Sequence, residues 1–386
     1  MGSVTTSPPM AIETLDDFRD PEKCQRLVIK IGSALLVDDA GQVRAEWLRT
    51  VVNEIVTAQE RGQEVVVVSS GAIAIGAKQL GFTHGGRRTL AEAQASASVG
   101  QISLASTWSS LLTERRLVAA QLLLTLDDFE HRRRYLNISA TLRRLLKSGV
   151  VPVVNENDTI STGEIRFGDN DRLAARVAQA CDADGVILLT DVDGLYDRHP
   201  DDPEAERLEE VRGVTDEIHA MADGGSGSGL GSGGMTAKLL AAEIAERAGI
   251  ALAIMDGQHE MPIGRALAGQ TGTLFLPKRE DSGRRAWIGG RMRFNGALTV
   301  DDGCVEALEN GKSVLAAGIL KVEGEFERGD ILPVYDESRR MIAKGVVEYD
   351  WSDVVAIRGH SSEEHEDILG HTPRSAVIHR DHLVLL

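Results

Sequence analysis

Leu27-Val28-Ile29-Lys30-Ile31 runs straight into Gly32-Ser33: an aliphatic segment broken by one lysine and closed by a turn. A strand that is apolar at every position, not at alternate ones, is covered on both faces, as in a parallel sheet. The pattern returns at residues 65–68 before Ser69-Ser70-Gly71, and again at 117–124, 150–154, 186–189 and 251–255. Helical periodicity fills the gaps. Leu48, Val51, Val52, Ile55 and Val56 share one face of residues 45–59, and further helices are expected over 89–114, 137–147, 169–181 and 235–248. Strands alternating with helices imply an α/β sandwich of three layers around a mainly parallel sheet, roughly 250 residues long. Pro152 suits a strand start or edge better than a centre.

Outside that block the character changes. Pro277-Lys278-Arg279-Glu280-Asp281-Ser282-Gly283 is polar and breaker-rich, which places a domain boundary after 278. Residues 279–386 then show short alternating runs between turn residues, the pattern of a small β-rich barrel. Residues 1–26, with two prolines and four acidic groups before Pro21, have no basic or apolar leader and are expected as a disordered tail.

Composition excludes several classes. With 386 residues, 42% hydrophobic and 26% charged, the chain is neither fibrous nor disordered, and two domains are expected. A net charge of −17 opposes general binding to nucleic acid or an anionic membrane, so any phosphate must be held by local chemistry. Cys24, Cys181 and Cys304 make no disulfide or metal pattern, which points to a reducing, cytoplasmic setting. Five histidines fall within residues 360–386, but their spacing fits no zinc motif and they are expected at the surface.

Chemistry gathers where the strands end, since ligands of open α/β sheets bind at that edge. A lysine inside an aliphatic strand is costly unless paired, so Lys30 is either a phosphate ligand or a snorkelling strand-end lysine. Ser69-Ser70-Gly71-Ala72 leads into a helix whose first N–H groups favour an anion, or is a plain strand-to-helix turn. Asn155-Glu156-Asn157-Asp158 puts four polar residues in a row, more than a capped turn uses. Together they offer donors and acceptors to a substrate bearing an ammonium and carboxylates. Gly168-Asp169-Asn170-Asp171 opens a helix; one residue serves as cap, and a carboxylate there could orient lysines or hold magnesium. Thr190-Asp191 begins an aspartate-glycine turn. Residues 224–234 form a glycine-serine loop that enters a helix at Met235-Thr236-Ala237-Lys238, as a nucleotide loop does and a linker inside a βα unit does not.

These segments, in order over residues 27–276, resemble the amino acid kinase family, and within it the members that phosphorylate L-glutamate. The C-terminal part is similar to a PUA domain. The resemblance implies ATP-dependent phosphorylation of the glutamate side-chain carboxylate, the first step of proline synthesis, with Mg²⁺ accompanying ATP. It implies Lys30, Lys238 and Asp171 as catalytic residues, and Ser70, Asp158, Asn170, Asn155 and Asp169 around glutamate. Nucleotide binding would fall to Lys30, Thr190, Asp191 and the run Ser232-Gly233-Gly234-Met235-Thr236-Ala237-Lys238. It also implies feedback inhibition by L-proline, a dimer or tetramer of identical chains, and delivery of the product to a glutamyl phosphate reductase. Sibling kinases acting on N-acetylglutamate, aspartate or UMP share the lysines but not both the 155–158 run and the C-terminal domain. An RNA-binding or RNA-modifying role through that domain is opposed by its charge, −5 over residues 284–386.

Overall fold

The computed structural model describes residues 11–38, 41–160, 169–222, 232–277, 294–371, 374 and 376–385. Their contacts divide the chain into two compact units: residues 1–130 with 137–280, and residues 131–136 with 281–386. The expected boundary at 278 and residues 224–231 of the expected loop 224–234 lie outside the described residues; Ser232–Gly234, expected in that loop, instead open a helix expected to begin only at Met235.

In the first unit β1 (Arg26–Ile31) leads through α1 (Ser33–Leu36) and α2 (Ala45–Glu60) to β2 (Glu64–Ser69). Then come α3 (Ala72–Leu80), α4 (Leu90–Glu114), β3 (Val118–Leu124), α5 (Leu126–Glu130), α6 (Arg132–Lys147) and β4 (Val150–Glu156). The remainder is α7 (Asp169–Cys181), β5 (Gly185–Thr190), β6 (Glu210–Arg212), α8 (Asp216–Ala222), α9 (Ser232–Arg247), β7 (Ala251–Asp256), α10 (Pro262–Gly269) and β8 (Thr273–Leu276). The eight strands form one sheet in the order β3-β4-β2-β1-β5-β7-β8-β6, parallel at every pairing except β7 with β8. β1 is interior to that sheet, and Leu27, Val28, Ile29 and Ile31 are buried among neighbours on both faces. Its register aligns Ile31 with Ser69 on one side and Leu189 on the other. Gly32-Ser33, Ser70-Gly71 and Thr190-Asp191 therefore leave the sheet at a single edge.

Three glycines set the helices over that edge. Gly71 (φ 100°) starts α3, and α3 crosses α4 with backbones nearly in contact. A Cβ on Gly76 would stand 1.8 Å from the Ser96 carbonyl oxygen, and one on Gly100 at 1.8 Å from that of Ala72. The Thr89 side chain caps α4 by accepting from Glu92 N–H at 3.1 Å.

Three expectations are corrected. Leu15–Arg19 is a 3₁₀ helix with Phe18 only 1% exposed, so that part of the supposed tail packs on the core. Phe18 and Ile12 press against the Cα of Gly185, where a side chain would collide with them. Pro152 lies in an interior strand; pairing of β4 with β2 runs through Val153 and Val154, leaving the proline short of that ladder. His365 and His382 are buried, and His382 Nδ1 stands 3.0 Å from Glu348 Oε1. A histidine paired with a carboxylate has a reason to be inside.

The second unit holds a five-stranded sheet, β9 (Gly296–Val300), β10 (Ile319–Gly324), β11 (Ile331–Tyr335), β12 (Met341–Val347) and β13 (Ile378–Leu385), in the order β10-β9-β11-β12-β13. Leu298, Val300, Leu332, Val334, Val347 and Ile378 are among its core residues. The first turn of α6 belongs to this unit: Leu136 clusters with Ile331 and Val346, and Arg132 Nε donates to the Gly329 carbonyl at 2.5 Å. All three cysteines are buried and free; burial raises the Cys181 thiol to about 12 and that of Cys304 to about 11. No described helix is long and apolar enough to cross a membrane.

Candidate active site

Asp171 is the hub of the sheet edge. It sits in the first turn of α7, fully buried at 0% exposure. Lys30 reaches it from β1, with Nζ 2.5 Å from Oδ1, and Lys238 from α9, with Nζ 3.4 Å from Oδ2. Both lysines are themselves buried, at 6% and 7% exposure. Burial alone would push the Asp171 pKa up, but the two ammonium groups outweigh it and hold the carboxyl below its ordinary value. Lys238 Nζ also donates to the Gly234 carbonyl at 3.3 Å, one turn back along α9. Two cations share one anion here, leaving a net positive centre with spare N–H donors.

A second cluster begins one residue away. Asn170 Nδ2 donates to Ser70 Oγ at 2.9 Å and to Asn155 Oδ1 at 3.2 Å. Asn155 Nδ2 in turn donates to Gln101 Oε1 at 2.7 Å. Asn170 Oδ1 is buried without a hydrogen-bond partner among the described residues, an acceptor left over for a ligand. Asp158 is buried two residues past the end of β4. Two strand ends, those of β2 and β4, and the start of α7 thus bring a hydroxyl and two amide groups to one locality.

On the far side of β1, Thr190 Oγ1 donates to Asp191 Oδ1 at 2.9 Å. The backbone of Ser232 and Gly233 opens α9, and Gly234, Met235, Thr236 and Ala237 complete its first turns before Lys238. Among the described residues a Cβ on Gly234 would meet nothing within 4 Å. The side chains of Asp169 and Ser232 lie outside what the structure describes.

Among the expected residues, the structure brings Lys30, Asp171 and Lys238 together, and Ser70, Asn155 and Asn170 together. Gln101 was not foreseen: it lies within a long helix and meets Asn155 only through the fold. Among the described residues no group of three or more His, Cys, Asp or Glu side chains could hold a metal. Asp171 is already engaged by two lysines, so the donor set suits an ion carried in on phosphate oxygens, not one caged by protein carboxylates.

The amino acid kinase family matches residues 25–256, and the PUA domain matches residues 296–369. Glutamate 5-kinase of Novosphingobium aromaticivorans is 57% identical over 98% of this chain and 100% of its own. The proteins of that name from Zymomonas mobilis and Sphingopyxis alaskensis are each 53% identical over 95% of this chain, and over 92% and 99% of their own lengths. The match to the amino acid kinase family spans the strands that carry Lys30, Asn155 and Thr190, the turn that carries Ser70, and the helices that carry Asp171 and Lys238. This chain belongs to the amino acid kinase family.

Proposed function

We propose that this protein transfers the γ-phosphoryl group of ATP to the side-chain carboxylate of L-glutamate, giving γ-glutamyl phosphate and ADP for proline synthesis. The observation that carries the chemistry is the buried Lys30–Asp171–Lys238 arrangement beside the Ser70–Asn155–Asn170 cluster. Nearly full-length similarity to proteins named glutamate 5-kinase supports the choice of acceptor.

A carboxylate acceptor carries no proton at neutral pH, so the reaction needs no general base. Its difficulty is repulsion between that anion and the triphosphate. Lys30 and Lys238 would offset the repulsion, and Asp171, paired with both, would aim them at the phosphates. The bond between a glutamate oxygen and the γ-phosphorus forms as the bridging bond to the β-phosphate breaks. Mg²⁺, held by the phosphate oxygens, would supply further positive charge to the leaving ADP. Thr190, Asp191 and the run from Ser232 to Lys238 would bind the nucleotide.

Ser70, Asn155, Asn170, Asp158 and Asp169 would hold glutamate, with Asp158 and the unpaired Asn170 Oδ1 accepting from its α-ammonium. L-Proline also bears an α-carboxylate and a cationic nitrogen, so it would compete at the same groups. The acyl phosphate hydrolyses readily, which favours its direct delivery to a glutamyl phosphate reductase, and the similarity to glutamate 5-kinases supports a homo-oligomer. Trapping tests the reaction directly: with ATP, glutamate and hydroxylamine the protein should form γ-glutamyl hydroxamate in step with ADP. ADP release without hydroxamate would refute the acyl-phosphate product.

A further inference from the structure

The turn after β7 joins two parts of the first unit that are far apart in sequence. Trp47 on α2 is 4% exposed, and its indole N–H donates to two carbonyls, Gly257 at 2.8 Å and His259 at 2.9 Å. Arg44 lies over the indole ring at 5.6 Å and donates to the Gln258 carbonyl at 3.4 Å. Asp256 Oδ1 closes the turn by accepting from Gln258 N–H at 2.8 Å. A side chain at Gly257 is obstructed, since its Cβ would stand 2.3 Å from Leu35 Cδ1.

The opposite side of this turn grips the end of β5. Gly257 N–H donates to the Thr190 carbonyl at 2.7 Å, and Gln258 Nε2 to the Asp191 carbonyl at 2.8 Å. Two consecutive carbonyls are thus each fixed by a donor from one turn, which is itself fixed by Trp47.

We propose that Trp47 and Gln258 are positioning residues for the nucleotide: they hold the Thr190-Asp191 backbone in place for ATP without touching it. This rests on the assignment of Thr190 and Asp191 to nucleotide binding. A buried indole N–H shared by two carbonyls does more than fill space: it ties the Gly257 and His259 carbonyls, and so the turn that carries Gln258, to α2. Its effect should reach the nucleotide and spare the acceptor, whose side chains come from β2, β4 and α7.

Trp47→Phe keeps an aromatic side chain but removes the donor together with the second ring, leaving a small void; Gln258→Met keeps the length and removes the donor at an exposed position where folding is not at stake. Each should raise the KM for ATP by roughly 3- to 10-fold, as expected for one lost hydrogen bond, with kcat and the KM for glutamate within about twofold. The double variant should fall short of the product of the two effects, because both act through one turn. A lowered melting temperature with unchanged KM for ATP, or equal rises in both KM values, would mean a merely structural role and overturn the proposal. Asp191→Ala, measured alongside, separates the two levels. If it leaves the KM for ATP unchanged, the nucleotide assignment fails and the proposal with it. If it raises that KM while Trp47→Phe and Gln258→Met do not, the proposal alone fails.

Discussion

Lys30 was legible in the sequence because an ammonium inside an aliphatic strand needs a partner, and the structure supplies Asp171 at 2.5 Å. Lys238→Ala should lower kcat by about 10²-fold or more while circular dichroism stays native, since a neighbouring lysine still pairs Asp171. Lys30→Ala should act alike. Asp171→Asn leaves two buried ammonium groups without their anion and should cost on the order of 3 kcal/mol in denaturant titrations. The pH dependence has a definite sign. Asp171 has a lowered pKa in the native state, so its ionised form contributes stability above the ordinary value of 3.8. That contribution is lost as pH falls through the lowered native value, and the Asn variant should lack that part of the acid limb. Gln101, Trp47 and Gln258 were not legible. Their partners lie 54 to 212 positions away, and nothing in a local pattern announces such contacts.

Strands and helices followed their periodicity closely, because burial on both faces leaves an unbroken apolar run and burial on one leaves a stripe. The helix crossing that carries Ser70 was not visible as such: Gly76 and Gly100 look like ordinary small residues until α3 and α4 are laid together. Gly100→Ala should destabilise the protein by about 1–3 kcal/mol or more, as a methyl would meet a backbone carbonyl that cannot step aside. A rise in the KM for glutamate should accompany the lowered melting temperature, because α3 begins just after Ser70. The join between α2 and α10 has its own signature. Glu54 accepts from Gly264 N–H at 2.5 Å and Ile263 N–H at 3.3 Å, yet burial outweighs these bonds and raises its pKa to about 7. Between its ordinary value of 4.5 and about 7 the native state binds more protons than the unfolded one, so stability falls as pH rises across that window. Glu54→Gln should flatten this slope in melting curves from pH 5 to 8. An unchanged slope would assign the pH dependence to other groups.

Across the whole molecule, a change from apolar runs to short alternating strands separated two kinds of domain in the sequence. The inclusion of residues 131–136 in the second unit could not be read that way, because Leu136 resembles any helical leucine until Ile331 and Val346 surround it. A chain ending near Lys278 retains every proposed catalytic residue and should keep kinase activity. It should melt lower than the full-length protein, since Arg132 and Leu136 lose their partners in the second unit. Proline inhibition should persist in that shortened chain and weaken as glutamate is raised; its loss on truncation would place the inhibitor elsewhere. The acceptor itself is tested most directly by coupled ADP release from the full-length protein offered L-glutamate, L-aspartate, N-acetyl-L-glutamate and UMP in turn. Turnover with L-glutamate, abolished in Lys238→Ala and at least about tenfold slower with the other three, is the expected result. Preference for any of those three would contradict the proposed function.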